Sequence, residues 1–240
     1  MVLSILSRGF MNIGSFIDRL LPDQPCVLCG CMSREGLWCS TCDNSLPYLD
    51  RPSCPVCALP TTAGEICGHC LSHPPVFTRT TAVFSYMFPV DKLVHGMKYG
   101  GQLALASAFA TRLAGKINPD ALPDCVIPMP LHPSKLRERG FNQSLLLAAK
   151  ISRMHKLKLL TDACTRVRDT PPQSVLPWKE RKKNVRDAFE CDIDLTGKKV
   201  ALVDDVMTTG ASLDALASAI RKCGAIEISS WVVARTLPHA

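Results

Sequence analysis

The chain has 240 residues, of which 47% are hydrophobic and 20% charged, and a formal net charge of +7. That balance excludes a disordered chain, and the length allows one large core or an ordinary core with a smaller module beside it. No apolar run reaches the roughly 18 residues needed to cross a bilayer, so no membrane span is expected.

The first stretch, Met1–Leu21, is mildly apolar and interrupted by Gly9, Asn12, Gly14 and Asp18. It lacks a basic start and a small-residue cleavage site, so residues 1–22 read as an amphipathic helix and not as a signal peptide.

Cysteine is the unusual residue. There are 13, and nine fall between Cys26 and Cys70. Eight of them form C-x-x-C pairs: Cys26/Cys29, Cys39/Cys42, Cys54/Cys57 and Cys67/Cys70. Two residues between cysteines let one tight turn aim both thiolates at one ion, and two such turns make a tetrahedral four-sulfur site suited to Zn²⁺. The spacing predicts two structural zincs within residues 23–75. Either tandem pairing of neighbouring turns or cross-braced pairing of alternate ones satisfies it. His69 and His73 are not expected to be ligands. Phased thiolates ahead of a cysteine-poor remainder point to metal in a reducing compartment, the cytoplasm, and not to a disulfide scaffold. For Cys31, Cys125, Cys164, Cys191 and Cys223, which stand apart from the pairs, buried thiol is the default. Pro74-Pro75 marks the end of the module.

Beyond it the pattern changes to alternating strands and helices. Strands are predicted at Thr81–Tyr86, Asp124–Ile127, Lys199–Val203 and Glu227–Ala234. Helices are predicted at Val90–Tyr99, Gln102–Ile117, Asn142–Lys158 and Ser212–Cys223, the third with an apolar stripe of Leu145, Leu146, Ala149 and Ile151. This alternation implies an α/β domain with a parallel sheet and right-handed crossovers. Ligands of such sheets bind at the carboxyl ends of the strands.

The most informative stretch runs from Val200 to Ser212. An apolar strand ends in Asp204 and Asp205, and Thr208, Thr209, Gly210, Ala211 and Ser212 then turn into a helix. Small hydroxyl residues and glycine at a helix N-terminus offer N–H donors and the positive end of the helix dipole, which is a phosphate cradle. Paired carboxylates just before it can accept from two adjacent hydroxyls, as on a ribose. The bland alternative is an ordinary strand–turn–helix with two solvated aspartates and a hydroxyl cap.

Charge adds a second signal. Between Pro130 and Glu190 lie 14 Lys/Arg and 6 Asp/Glu, a net of +8, while the remainder carries 14 and 15, a net of −1. A basic face so confined suits a polyanion or a phosphorylated substrate.

The acid pair with its Thr-Thr-Gly-Ala-Ser turn resembles the fingerprint of the type I phosphoribosyltransferases. Two further segments, Pro128–Gln143 and Arg166–Phe189, together with the double cysteine ribbon, make the whole chain resemble the ComF family. Two small departures are Ser212, where Thr is also common, and Ala58, where Gly usually follows the knuckle. The resemblance implies a parallel-sheet type I phosphoribosyltransferase fold over residues 76–240, preceded by a small double zinc ribbon. It implies that Asp204 and Asp205 hold the ribose hydroxyls of phosphoribosyl pyrophosphate with Mg²⁺, and that residues 208–212 hold its 5-phosphate. Met129, Lys135, Arg137 and Arg139 would form the pyrophosphate loop. Arg166, Arg168, Gln173, Arg181 and Asn184 would face inward from a lid, and Lys98 is a weaker candidate. The implied role is in natural competence or use of external DNA, handling incoming single-stranded DNA in the cytoplasm, with a competence helicase as a candidate partner. The alternative is an active phosphoribosyltransferase that transfers ribose 5-phosphate to an unidentified base or amine and releases pyrophosphate.

Overall fold

The computed structural model describes residues 24–34, 36–168 and 187–238. The expected N-terminal helix, Gln173, Trp178, Arg181 and Asn184 lie outside these residues. Two compact units make up the chain, Met1–Ser45 and Leu46–Ala240, so the division falls between the two halves of the cysteine module.

The first unit is small. Strands β1 (Gln24–Pro25) and β2 (Met32–Ser33) pair antiparallel. Helix α1 (Ser40–Asn44) follows. Trp38 is buried, and its indole N–H donates to Asp43 Oδ1 at 2.7 Å.

The second unit is built on a five-stranded sheet with the order β3-β9-β8-β4-β5. Its strands are β3 (Arg79–Ser85), β4 (Cys125–Pro128), β5 (Lys158–Leu159), β8 (Lys199–Met207) and β9 (Glu227–Arg235), and every pairing is parallel. Hydrophobic burial on both faces accounts for the unbroken apolar run of β8. Val200 and Leu202 join the cluster under α7 (Ala211–Lys222), and Ala201 and Val203 are as fully buried. The opposite face carries α4 (Ala104–Lys116) and α6 (Gln143–His155), which pack against each other. A two-stranded antiparallel hairpin of β6 (Cys164–Arg166) and β7 (Phe189–Cys191) lies against α7.

Four expectations need correction. The buried stripe of α6 is Ser144, Leu147, Ala148, Ile151 and Ser152, while Leu145, Leu146 and Ala149 are only half-buried. The helix is wedged between the sheet and α4, and small serines allow that approach. Cys164 and Cys191 are bonded to each other across the β6–β7 hairpin and are not thiols, because antiparallel register sets them directly opposite. Cys31 is exposed, and Cys223 is half-buried with its Sγ 3.5 Å from the Cys191 carbonyl. Strand β8 also runs further than the apolar pattern indicates, through both aspartates to Met207.

The second half of the cysteine module, which contains the short helix α2 (Gly68–Ser72), belongs to the sheet unit. Leu49 N–H donates to Val83 O at 2.8 Å, and Ser85 N–H to Pro47 O at 2.8 Å, so the chain before the knuckle lines the free edge of β3. Thr80 in β3 donates to Pro55 O and, through its hydroxyl, to Val56 O at 2.6 Å. An edge strand that would otherwise expose unpaired groups is thereby covered.

Candidate functional site

Two four-cysteine clusters stand out among the described residues: Cys26, Cys29, Cys39 and Cys42, and Cys54, Cys57, Cys67 and Cys70. Pairing is therefore tandem. Within each set the sulfurs lie within 4.8 Å of one another. Zinc–sulfur bonds of about 2.3 Å in a tetrahedron require sulfur separations of roughly 3.8 Å. Cys29 and Cys39 are 3.8 Å apart, and Cys57 and Cys67 are 3.6 Å apart. The donor set and its spacing fit structural Zn²⁺ in both. His69 and His73 belong to neither set and stack on each other at 5.5 Å.

While the second C-x-x-C pair of each set opens a short helix, the first places a left-handed residue after its second cysteine. Gly30 supplies it at φ +76°, and Ala58 adopts it at φ +57°. Their amides then turn back to Cys26 O and Cys54 O, both at 2.9 Å. Burial works against a charged Cys54. Amides of Cys67, Cys57 and Val56 outweigh it and bring the thiol down to about 7, while burial first pushes Cys57 up to about 11.

At the carboxyl end of the sheet, Asp204 and Asp205 end the apolar part of β8. Asp205 is buried, and its Oδ2 meets Lys98 Nζ at 2.7 Å. Lys98 sits in the last turn of α3 (Val90–Tyr99), whose apolar side buries Val90, Leu93, Val94 and Met97. Burial opposes the charge on Lys98, but the Asp205 carboxylate prevails and raises its pKa. Asp204 Oδ1 accepts from the Ser144 hydroxyl and from Asp205 N–H, both at 2.9 Å. Burial first, and the Asp205 charge second, push its carboxyl up to about 7.

Ser144 is placed by the start of α6. Asn142 caps that helix, its Oδ1 accepting from Ser144 and Leu145 N–H at 2.9 and 3.3 Å. Its amide also donates to Met129 O at 3.0 Å, tying the loop after β4 to the acid pair. Sequence reasoning missed Ser144 because it lies one residue past the Gly140–Gln143 segment. Asn-x-Ser ahead of an apolar helix was the available signal.

The predicted pyrophosphate residues separate. Met129 is buried in the core, so its side chain supplies no ligand, and only its backbone lines the loop. Lys135, Arg137 and Arg139 lie on α5 (Pro133–Arg139), where residues two apart point about 200° apart. Lys135 is engaged by Glu138 at 2.7 Å. Arg139 bonds Gln143 Oε1, donates to the Tyr99 hydroxyl at 3.4 Å and lies 5.0 Å over the Tyr99 ring. Arg137 is exposed on the other side of the helix. Of the lid residues, Arg166 packs 5.6 Å over the buried Phe189 ring and Arg168 is exposed.

Residues 208–212 leave the carboxyl end of β8 and enter α7. Gly210 caps the helix at φ +83°, with Met207 Cε 3.4 Å and Phe77 Cζ 3.6 Å from where a Cβ would sit. Thr209 Oγ1 accepts from Ala211 N–H at 3.2 Å. Asp214, in the first turn of α7, accepts from Val76 N–H at 2.7 Å. Arg235 was also missed. It ends β9 and is buried behind the turn. A cation closing an apolar strand at the sheet's carboxyl edge was its signal.

A family model described as a double zinc ribbon domain matches residues 16–71, and one described as a phosphoribosyl transferase domain matches residues 144–237. The DNA utilization protein YhgH of Escherichia coli (strain K12) is 34% identical over 221 residues, covering 88% of this chain and 97% of that protein. Competence protein F of Haemophilus influenzae is 31% identical, covering 85% and 92%. Competence protein ComFC of Bacillus subtilis (strain 168) is 26% identical, covering 93% and 98%. A purine phosphoribosyltransferase structure from Pyrococcus horikoshii is similar with a TM-score of 0.32 and 19% identity, covering 65% of this chain and 77% of that one. By the family-model and relative matches the chain belongs to the ComF family of competence and DNA-utilisation proteins, a double zinc ribbon joined to a phosphoribosyltransferase domain.

Proposed function

We propose that the protein binds phosphoribosyl pyrophosphate at the carboxyl end of β8 and handles incoming single-stranded DNA in the cytoplasm. One observation carries this reading: Asp204 and Asp205 are followed, after Val206 and Met207, by a Thr-Thr-Gly-Ala-Ser turn that opens α7. Asp204 and Asp205 would hold the ribose hydroxyls, and residues 208–212 the 5-phosphate, with N–H donors and the helix dipole favouring the anion. The carboxylates are hard oxygen donors of the kind that share Mg²⁺ with a phosphorylated ligand. When bound, that ion neutralises pyrophosphate charge. Lys135 and Arg139 share one face of α5 and would add to it, and Arg166, Arg168, Gln173, Arg181 and Asn184 are the proposed lid. The net charge of +8 between residues 130 and 190 supports a strand-binding face, whose affinity falls steeply with salt. A competence helicase remains a proposed partner. Among the described residues no helix is long and apolar enough to cross a membrane.

Calorimetry with phosphoribosyl pyrophosphate and Mg²⁺ tests the site. Binding is expected for the wild type and lost in Asp204→Asn/Asp205→Asn, with both zincs retained. Equal affinity in that variant would remove the assignment. Anisotropy of labelled single-stranded DNA at two salt concentrations tests the basic face, and an affinity indifferent to salt would remove it.

A second reading is favoured by the phosphoribosyl transferase match itself. Here an acceptor base or amine attacks ribose C1 and pyrophosphate leaves. The grip reads the phosphoribosyl group and not the acceptor. Pyrophosphate release with a panel of bases and amines separates turnover from binding alone.

A further inference from the structure

We propose that Arg235 is a positioning residue through which zinc at the Cys54–Cys70 site sets the conformation of the 208–212 turn, so that metal and phosphate binding are coupled. This rests on the reading of that turn as a phosphate cradle.

Arg235 is 3% exposed, and among the described residues no carboxylate pairs with it. Its guanidinium is spent on backbone carbonyls from three places in the chain. Nε donates to Cys57 O at 2.7 Å. The two N–H groups of Nη1 are shared among Met207 O at 3.0 Å, Thr208 O, and Thr236 O at 2.9 Å. Nε therefore grips the second zinc site, and Nη1 grips the last residue of β8 and the first residue of the turn.

A buried cation without a carboxylate needs another source of negative charge. Four thiolates around one Zn²⁺ carry a formal charge of −2. The guanidinium lies against that set through Cys57, so the loaded metal site is its counter-ion. Arg cannot shed its proton to escape burial. Loss of the metal would leave Cys57 free to move and would release the carbonyl that aligns Nε. The Met207 and Thr208 carbonyls would lose their anchor in turn. A cavity of about 180 Å³ is lined jointly by the two partners, by Cys57 and Cys70 of the zinc site and by Thr209, Gly210 and Ala211 of the turn. Arg235 bridges the knuckle and the turn as a partner outside the ligand shell of the metal, and such partners typically tune metal affinity about 10–100-fold. By linkage, whatever zinc does for phosphate binding, phosphate must do for zinc binding.

The test uses the full zinc-loaded chain, ribose 5-phosphate as probe and equilibrium competition with a chromogenic chelator to read zinc affinity. Ribose 5-phosphate is expected to tighten binding of one of the two ions by about tenfold, within the range usual for coupled sites. Arg235→Lys keeps the charge but cannot span both partners. It should weaken ribose 5-phosphate binding and abolish the ligand's effect on zinc affinity. Should that variant fold poorly, the wild-type competition experiment decides the coupling. If ribose 5-phosphate binds by calorimetry and both zinc affinities are unchanged, the coupling is overturned and the phosphate reading survives. If it does not bind at all, the phosphate reading is overturned and the coupling with it.

Discussion

Lys98 Nζ lies 2.7 Å from Asp205 Oδ2, an ion pair that joins the end of α3 to the acid pair of β8. The carboxylate side chain is 4% exposed and the lysine 22%, so removing the lysine strands a buried charge and not a solvated one. Lys98→Met is expected to cost about 2 kcal/mol, discounted for the lysine's partial exposure, and Lys98→Met/Asp205→Asn to recover most of it. A double-mutant cycle by chemical denaturation measures this, and additive single effects would refute it.

The raised carboxyl of Asp204 predicts a pH dependence. In the unfolded chain it titrates near the ordinary 3.8, and in the folded protein near about 7. The folded state therefore holds a proton that the unfolded state has lost. The associated stability is complete below about pH 4 and disappears as pH rises through about 7. Urea midpoints from pH 4 to pH 8 should fall less steeply in Asp204→Asn than in wild type. If the carboxylate contacts a cation-bound sugar phosphate, binding near pH 7 should also release protons, seen as buffer-dependent heats.

Gly210 occupies a left-handed conformation with side chains close behind it. Gly210→Ala should cost about 1–2 kcal/mol, because an L-residue is strained there. The loss in sugar-phosphate affinity should exceed that of a substitution of similar stability cost elsewhere, such as Gly30→Ala at φ +76° in the first knuckle. Thermal melts paired with calorimetry distinguish the two.

Metal analysis should find two zincs per chain. Cys54→Ser should lower this to one and, because the second knuckle hydrogen-bonds β3, should destabilise the sheet unit itself. Structural zinc contributes on the order of 10 kcal/mol to small sites. An unchanged melting transition in that variant would contradict the packing of the knuckle on β3.

Much of this protein was legible in residue order because the physics involved is local. Two residues between cysteines make a knuckle whatever surrounds it. A four-residue apolar run followed by two acids and a hydroxyl–glycine turn is a buried strand meeting a helix N-terminus. The partners of those groups were not legible. Asp205 meets Lys98 across 107 positions, Asp204 meets Ser144 across 60, and Arg235 meets Cys57 across 178. Tertiary packing also decided tandem over cross-braced zinc, joined Cys164 to Cys191, buried Met129 and turned Arg137 away from Lys135 and Arg139. Local spacing determines what a segment can form. Only the folded sheet, by burying charges that must then find partners, determines which distant residue each group meets.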